Sequence, residues 1–409
     1  MFIERHNRSL PRTAQRGLSL VEIMVGVVIA LIGVVIIFQM LATSEERKRS
    51  ASSGSDVQVS GIVGITSLER DVREAGYGFS SAAYDTAATP AMGCTVNAYD
   101  TGRPTSAYTF RLTPIQITQG ASGASDSVIV LRGNGSTFPA AHVFTESSDT
   151  TKKTRGRAGL SPRDYALLAR TSPTLQCVLV EITEVNNDYG SCSSCDDAVT
   201  IQHKSGSYSY PLYQSDGSTT TETRVARYNN PAPTLTFTNG FIFNLGNGAR
   251  RNIWTVSNNS LQVTNDLLYQ DTNGDNINDP VEVTDSVINL QAEYGIDGGF
   301  DGSTTLNGRI EANEWTTSDP NTPARWANVL AVRLAILVRS GQYERTAVTT
   351  AIPAWSGSGT SPLTVTNLDG TASGTTPTNA ADNWKNYRYR VYETVIPLRN
   401  ILWGSNIQP

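Results

Sequence analysis

The sequence predicts an α+β protein, a long N-terminal helix packed on an antiparallel β-sheet head, and three observations carry that reading. A continuous apolar run, "RGLSLVEIMVGVVIALIGVVIIFQML" from Arg16 to Leu41, lies near the start of the chain. An amphipathic stretch extends it, with no proline between Leu18 and Pro90. Beyond residue 76 the chain becomes rich in Gly, Ser, Thr and Asn, and several segments alternate apolar and polar residues with period two. Such alternation buries one face of a sheet and exposes the other.

Residues 1–17 carry Arg5, Arg8, Arg12 and Arg16 against one acid, Glu4. The next two dozen or so residues suffice to cross a ~30 Å hydrocarbon core as a helix. The basic flank then stays in the cytoplasm and the following chain is exported. A secretory signal peptide fits poorly, because the run is too long and no small-x-small site closes it. A plain anchor leaves Glu22 unexplained, since a charge at mid-bilayer costs roughly 2.5–3.5 kcal/mol or more. "EERKR" (Glu45 to Arg49) marks the exit from the membrane. Val57, Val59, Ile62, Val63, Ile65, Leu68 and Val72 then recur at three- and four-residue spacing as the apolar face of a continuing helix. Gly61 and Gly64 weaken that helix by about 1 kcal/mol each, and "AGYGF" ends it near Ala75. At ~1.5 Å per residue the whole element measures roughly 85 Å.

In the head, "SVINLQAEYGI" places Ile288, Leu290, Ala292, Tyr294 and Ile296 on one face. "ANVLAVRLAILV" does the same for Leu330, Val332, Leu334, Ile336 and Val338, with Arg333 opposite. In "YRYRVYETVIPLRN" Tyr387, Tyr389, Val391 and Val395 alternate with Arg388, Arg390 and Thr394. "DSVIVLRG" and "TLQCVLVEITEV" add two strands upstream. The Gly/Ser/Thr-rich stretch from Ala354 to Asn383 reads as a flexible insertion.

The 409 residues carry a net charge of −5, which does not suit a nucleic-acid surface. The densest basic run, "KKTRGR" (Lys152 to Arg157), reads as a solvated loop. No nucleophile elbow, H-E-x-x-H or phosphate-loop motif occurs, so no enzyme is expected. His142 and His203 read as structural. Trp315, Trp326, Trp355, Trp384 and Trp403 read as core or loop-pinning residues rather than a sugar-stacking face. Cys94, Cys177, Cys192 and Cys195 make an even count, which outside the cytoplasm points to disulfides of unspecified pairing. Cys192 and Cys195, separated by two residues in a loop, are the first candidates for a bridge, ahead of a zinc or redox pair. No cofactor is required, with calcium the one candidate. "DTNGDNINDPVE" sets Asp271, Asn273, Asp275, Asp279 and Glu282 at positions 1, 3, 5, 9 and 12 of a twelve-residue calcium loop, and the Ile277 carbonyl at position 7. Asn276 stands where such loops carry glycine, a strand rather than a helix reads as following the loop, and the competing reading is an Asx-rich turn.

"RG-LSLVE" resembles the processing site of type IV prepilins: a basic leader ending in Gly, a hydrophobic residue, and Glu as the fifth residue of the mature chain. The resemblance implies that prepilin peptidase cuts between Gly17 and Leu18 and methylates the new N-terminus. Leu18 departs mildly from the usual Phe. It also implies a partner for Glu22, the N-terminal amine of a neighbouring subunit, since two lone charges in hydrocarbon are each relieved by pairing. "SLERDVREAGYG", "LQAEYGID", "WANVLAVRLAILVRS" and "YETVIPLRN" extend the resemblance to the PilW family of minor pilins. It implies a leader over 1–17, a transmembrane segment over 18–42, an amphipathic continuation over 43–76 and an extracytoplasmic head over 77–409. The expected life history is an inner-membrane subunit, head in the periplasm, that joins a pilus at the cell surface. The implied partners are other minor and major pilins, prepilin peptidase, the inner-membrane assembly machinery and a large tip adhesin. The rival readings are a pseudopilin of type II secretion and a tip adhesin with a glycan-binding head.

Overall fold

The computed structural model describes residues 17, 19–83, 91–135, 141–157, 159–170, 176–187, 199–230, 239–298 and 306–404. The chain divides into two units, Met1–Ser55 and Asp56–Pro409. One α-helix, Leu20–Arg73, runs from the first into the second. In the first unit its apolar side chains are exposed from Leu20 to Leu41, apart from those of small residues. Its most apolar stretch has none of its residues buried, and the helix is long and apolar enough to cross a membrane.

In the second unit the helix buries Val57, Ser60, Gly61, Gly64, Leu68, Asp71 and Val72. Spacings of three and four residues put these side chains on one face. The apolar face expected from sequence is therefore split. Val57, Ile65, Leu68 and Val72 pack inward, whereas Val59, Ile62 and Val63 are exposed. The glycines explain the difference. A Cβ at Gly61 would fall inside the Tyr392 ring, and one at Gly64 would sit 3.0 Å from Ile336 and 3.4 Å from Leu261. Both are close-approach positions, so the helix propensity they forfeit is exchanged for packing depth.

Among the described residues the strands form four sheets. A four-stranded sheet runs in the order Trp315–Thr316, Val287–Ile296, Val329–Arg339, Tyr389–Pro397. A five-stranded sheet runs Val281–Asp285, Ser260–Asn265, Arg250–Ser257, Ser127–Arg132, Ile115–Thr118. Both are antiparallel. The helix contributes Val57, Leu68 and Val72 to a core shared with Val128, Val130, Trp254, Leu261, Leu290, Leu334, Ile336 and Ile396 from these sheets. The nine-stranded sheet runs Ala107–Arg111, Thr95–Tyr99, Gln176–Glu181, Tyr165–Arg170, Asn239–Gly246, His142–Ser148, Thr151–Thr154, Val199–Gln202, Glu184–Asn187. It holds one parallel pair, in which Val96 lies opposite Cys177. A separate hairpin joins Ser207–Tyr213 to Thr219–Val225.

Two sequence expectations change at the four-stranded sheet. Ile288 sits at a register shift between Val287 and Asn289 and packs on the opposite side from Leu290, because a bulge inverts the alternation. In the last strand Tyr392 and Ile396 join the helix-facing core, while Val395 is exposed. The stretch from Ala354 to Asn383 is a cover and not a free insertion. Trp355, Leu363 and Val365, with Trp384 just beyond the stretch, bury against Ala335 and Leu337 on the sheet's second face. The polar side of Val287–Ile296 then becomes interior. Gln291 accepts from Ser361, Glu293 from Thr360 and Arg333, and Asn289 donates to the Thr364 carbonyl at 3.1 Å. A burial of this kind is tolerated because each polar group finds a partner.

Candidate functional site

Gly17 is exposed, and Leu18 lies outside the described residues. The helix that follows opens with a capping box. The Ser19 hydroxyl accepts from the Glu22 amide at 3.2 Å, and the Glu22 carboxylate accepts from the Ser19 amide at 3.4 Å. This reciprocal S-x-x-E arrangement satisfies two amides that a helix N-terminus otherwise leaves open. Glu22 therefore has a structural role within its own chain, encoded in "SLVE", beside the charge it carries into the apolar run.

At its other end the helix is tied to the head by Asp71, only 6% exposed. Its carboxylate accepts from Arg132 Nε at 2.9 Å, Asn252 Nδ2 at 2.9 Å and Trp254 Nε1 at 2.7 Å. Arg132 also pairs with Glu74 at 2.6 Å. The short helix Arg399–Gly404 closes the same junction. Asn400 Nδ2 donates to the Glu74 and Ala75 carbonyls at 3.2 and 3.0 Å, supplying donors at the end of the helix. Asp71 in "SLERDVREAGYG" and Asn400 in "YETVIPLRN" were not singled out from sequence, since period and charge alone do not reveal tertiary partners.

The acidic loop brings together three of its six proposed ligands. Asp271, Asp275 and Asp279 each offer an oxygen, all within 4.8 Å of one another. Asn276 takes the left-handed φ of 62° that glycine supplies in calcium loops. The same carboxylates also hold their own loop. Asp271 accepts from the Gly274 and Asn276 amides at 2.6 and 2.9 Å, and Asp275 from Ile277 at 2.8 Å. Hydrogen bonds from Thr272 hold the Asp279 carboxyl below its ordinary range. Asn273 is bonded to Asp275 at 3.1 Å. Glu282 is not in the cluster; it is exposed in the strand Val281–Asp285, opposite Gln262. Extended backbone directly after Pro280 carries it into the sheet.

Cys94 and Cys177 form a disulfide. It lies beside a parallel strand pair in which Val96 is opposite Cys177. Cys192 and Cys195 lie outside the described residues. "KKTRGR" is not simply a solvated loop: Lys152 is fully buried within the strand Thr151–Thr154 and donates to the Ser148 carbonyl at 3.0 Å. His203 is buried too, and burial, with Lys152 nearby, pushes it down to about 3, so it stays neutral. Burial also lowers His142. Trp326, Trp355 and Trp384 are buried, as core residues, whereas Trp403 is 63% exposed.

A membrane-length helix whose second part packs into a largely antiparallel β-rich unit defines a pilin-like α+β fold. Residues 253–400 match the family described as Type IV Pilus-assembly protein W, so this part of the chain is similar to that family. The matched region runs from within the Arg250–Ser257 strand, which supplies Trp254 to Asp71, through Asn400. No curated protein and no solved structure matches the chain.

Proposed function

We propose that the protein is a minor pilin, cut between Gly17 and Leu18, that joins other pilins through its N-terminal helix and helps to prime pilus assembly near the tip. The observation that carries this reading is the exposed apolar surface of the helix. In the first unit the large apolar side chains from Leu20 to Leu41 are exposed, and in the second Val59, Ile62 and Val63 are exposed on the side of the helix that the head leaves open. Apolar side chains outside a bilayer are stabilised by a partner surface, and packing against like helices supplies one. The Asp71 and Asn400 junction would hold the head to that helix as the filament grows. The partners on this reading are other minor and major pilins, prepilin peptidase, the inner-membrane assembly machinery and a large tip protein.

Deletion of the gene and complementation separate this from the pseudopilin reading. The proposal expects loss of surface pili with protein secretion unchanged. Intact pili with failed secretion would move the subunit to a type II system.

We also propose that the Asp271 loop takes Ca²⁺ through Asp271, Asp275 and Asp279, where three like charges lie within 4.8 Å. A ligand that binds only the folded state raises its melting temperature. Detergent-solubilised protein stripped with chelator is expected to melt several degrees higher in millimolar Ca²⁺, an order-of-magnitude effect of about 2–3 kcal/mol at a hundredfold excess over Kd. Asp271→Ala with Asp275→Ala should remove the shift. An identical melt with and without the ion would leave the loop as a self-bonded turn.

A further inference from the structure

The hairpin of Ser207–Tyr213 and Thr219–Val225 pairs with no other sheet among the described residues, and it walls a cleft of about 600 Å³. The opposite wall is the loop that precedes the strand Tyr165–Arg170. Arg157, Ser161, Arg163, Tyr210, Tyr213 and Asn247 supply the polar and aromatic lining. Three features set this cleft apart from ordinary surface relief.

The first is charge. In a chain of net charge −5, two guanidiniums line this cleft and no carboxylate does. Arg157 is exposed and makes no ion pair among the described residues. Nearby Asp164 is buried behind the lining, where it accepts from the Ser161 amide at 2.9 Å and also interacts with Arg163 and the Asn247 amide, so the exposed Arg157 is the freer of the two cations. Glu222, opposite Tyr210 in the hairpin, is exposed.

The second is an incompletely satisfied arginine on a strained backbone. Arg163 has φ 82°, a region that a side chain with a Cβ rarely adopts. Its amide is fixed by the Ile182 carbonyl at 2.8 Å. The guanidinium lies 5.0 Å from the Tyr210 ring centroid, and its Nε is buried without a hydrogen-bond partner. Strain held by the surrounding structure, together with a buried donor left open, marks a residue poised for a ligand. The third feature is aromatic surface: Tyr213 is 78% exposed at the rim.

We infer that this cleft binds an acidic glycan, with Arg157 and Arg163 holding a sugar carboxylate and Tyr213 stacking on the sugar ring. Guanidinium matches a planar carboxylate through paired N–H donors. A tyrosine face suits the apolar side of a pyranose, and Ser161 and Asn247 offer hydrogen bonds to hydroxyls. Two arginines and one exposed ring are too few for a nucleic-acid track, which needs a basic groove with repeated stacking. The inference rests on the head alone and stands whether or not the subunit joins a pilus.

The test is titration calorimetry on the full chain in detergent, with tetragalacturonate and tetramannuronate as probes. Their methyl esters serve as neutral counterparts and inorganic phosphate as a simple anion. At least one uronate oligomer should bind, its methyl ester at least about tenfold more weakly, equivalent to 1.4 kcal/mol. Arg157→Gln and Tyr213→Ala, both at exposed positions, should each weaken binding by a similar factor while leaving the melting temperature unchanged. Binding should also weaken with added salt. Failure of both uronates to bind at millimolar concentration would overturn the inference. So would equal binding of acid and ester, insensitivity to both variants, or binding of phosphate alone.

Discussion

Asp71→Ala is expected to destabilise the Asp56–Pro409 unit by about 3–5 kcal/mol, the cost of removing one member of a buried charged cluster. The substitution leaves Arg132 facing a hole and strips Asn252 Nδ2 and Trp254 Nε1 of their acceptor, all at once. Each buried donor left open adds a desolvation cost of roughly 1–3 kcal/mol, although the three are not additive. Asp71→Asn keeps one oxygen and should fall between the two. Urea unfolding of detergent-solubilised protein reads the free energy, and limited proteolysis reads the place. The account expects early cleavage just after Arg73, where the helix ends. A change below about 1 kcal/mol, the range of an ordinary surface substitution, would mean that the helix is held by apolar packing alone.

The second large effect is at Glu22, where the capping box sharpens the experiment. Glu22→Val loses both the cap and the carboxylate. Glu22→Gln keeps a side chain able to close the box but cannot neutralise a neighbouring amine. If docking against the amine of another subunit is the dominant role, both variants should insert in the membrane and be cleaved. Both should then show the ratio of filament-bound to membrane-bound protein reduced by about tenfold or more, as expected for an unpaired buried charge costing several kcal/mol. If capping dominates, Gln should behave as wild type and only Val should fail. Equal ratios for all three would remove Glu22 from assembly altogether.

The apolar run, the three long strands of the four-stranded sheet and the end of the helix near Arg73 were legible because each is a local pattern: hydropathy, period two, and a glycine-rich stop. What was not legible depended on the chain folding back on itself. Gly61 and Gly64 read as weak points in the sequence, yet they lie against Tyr392 and Ile336, neighbours that no local pattern reveals. Gln291 and Glu293 looked like the wet side of a strand, yet they lie beneath a cover that begins some sixty residues later, at Trp355. Lys152 looked like part of a solvated basic run, but it is buried in a strand with its ammonium on backbone carbonyls. At the acidic loop the spacing located three converging aspartates. It failed for Glu282 because a strand, and not a helix, follows Pro280. The capping box was present in the letters of "SLVE" and needed only the helix start at Leu20 to become meaningful.

The central claim is that this chain is a processed, filament-joining pilin, and the N-terminus of the protein recovered from sheared filaments tests it most directly. Sequencing or mass spectrometry of that protein should give a chain beginning at Leu18 with a methylated amine, and Gly17→Val should leave only the longer form, confined to the membrane. A filament-bound chain that still begins at Met1, or filaments that contain none of the protein, would contradict the account.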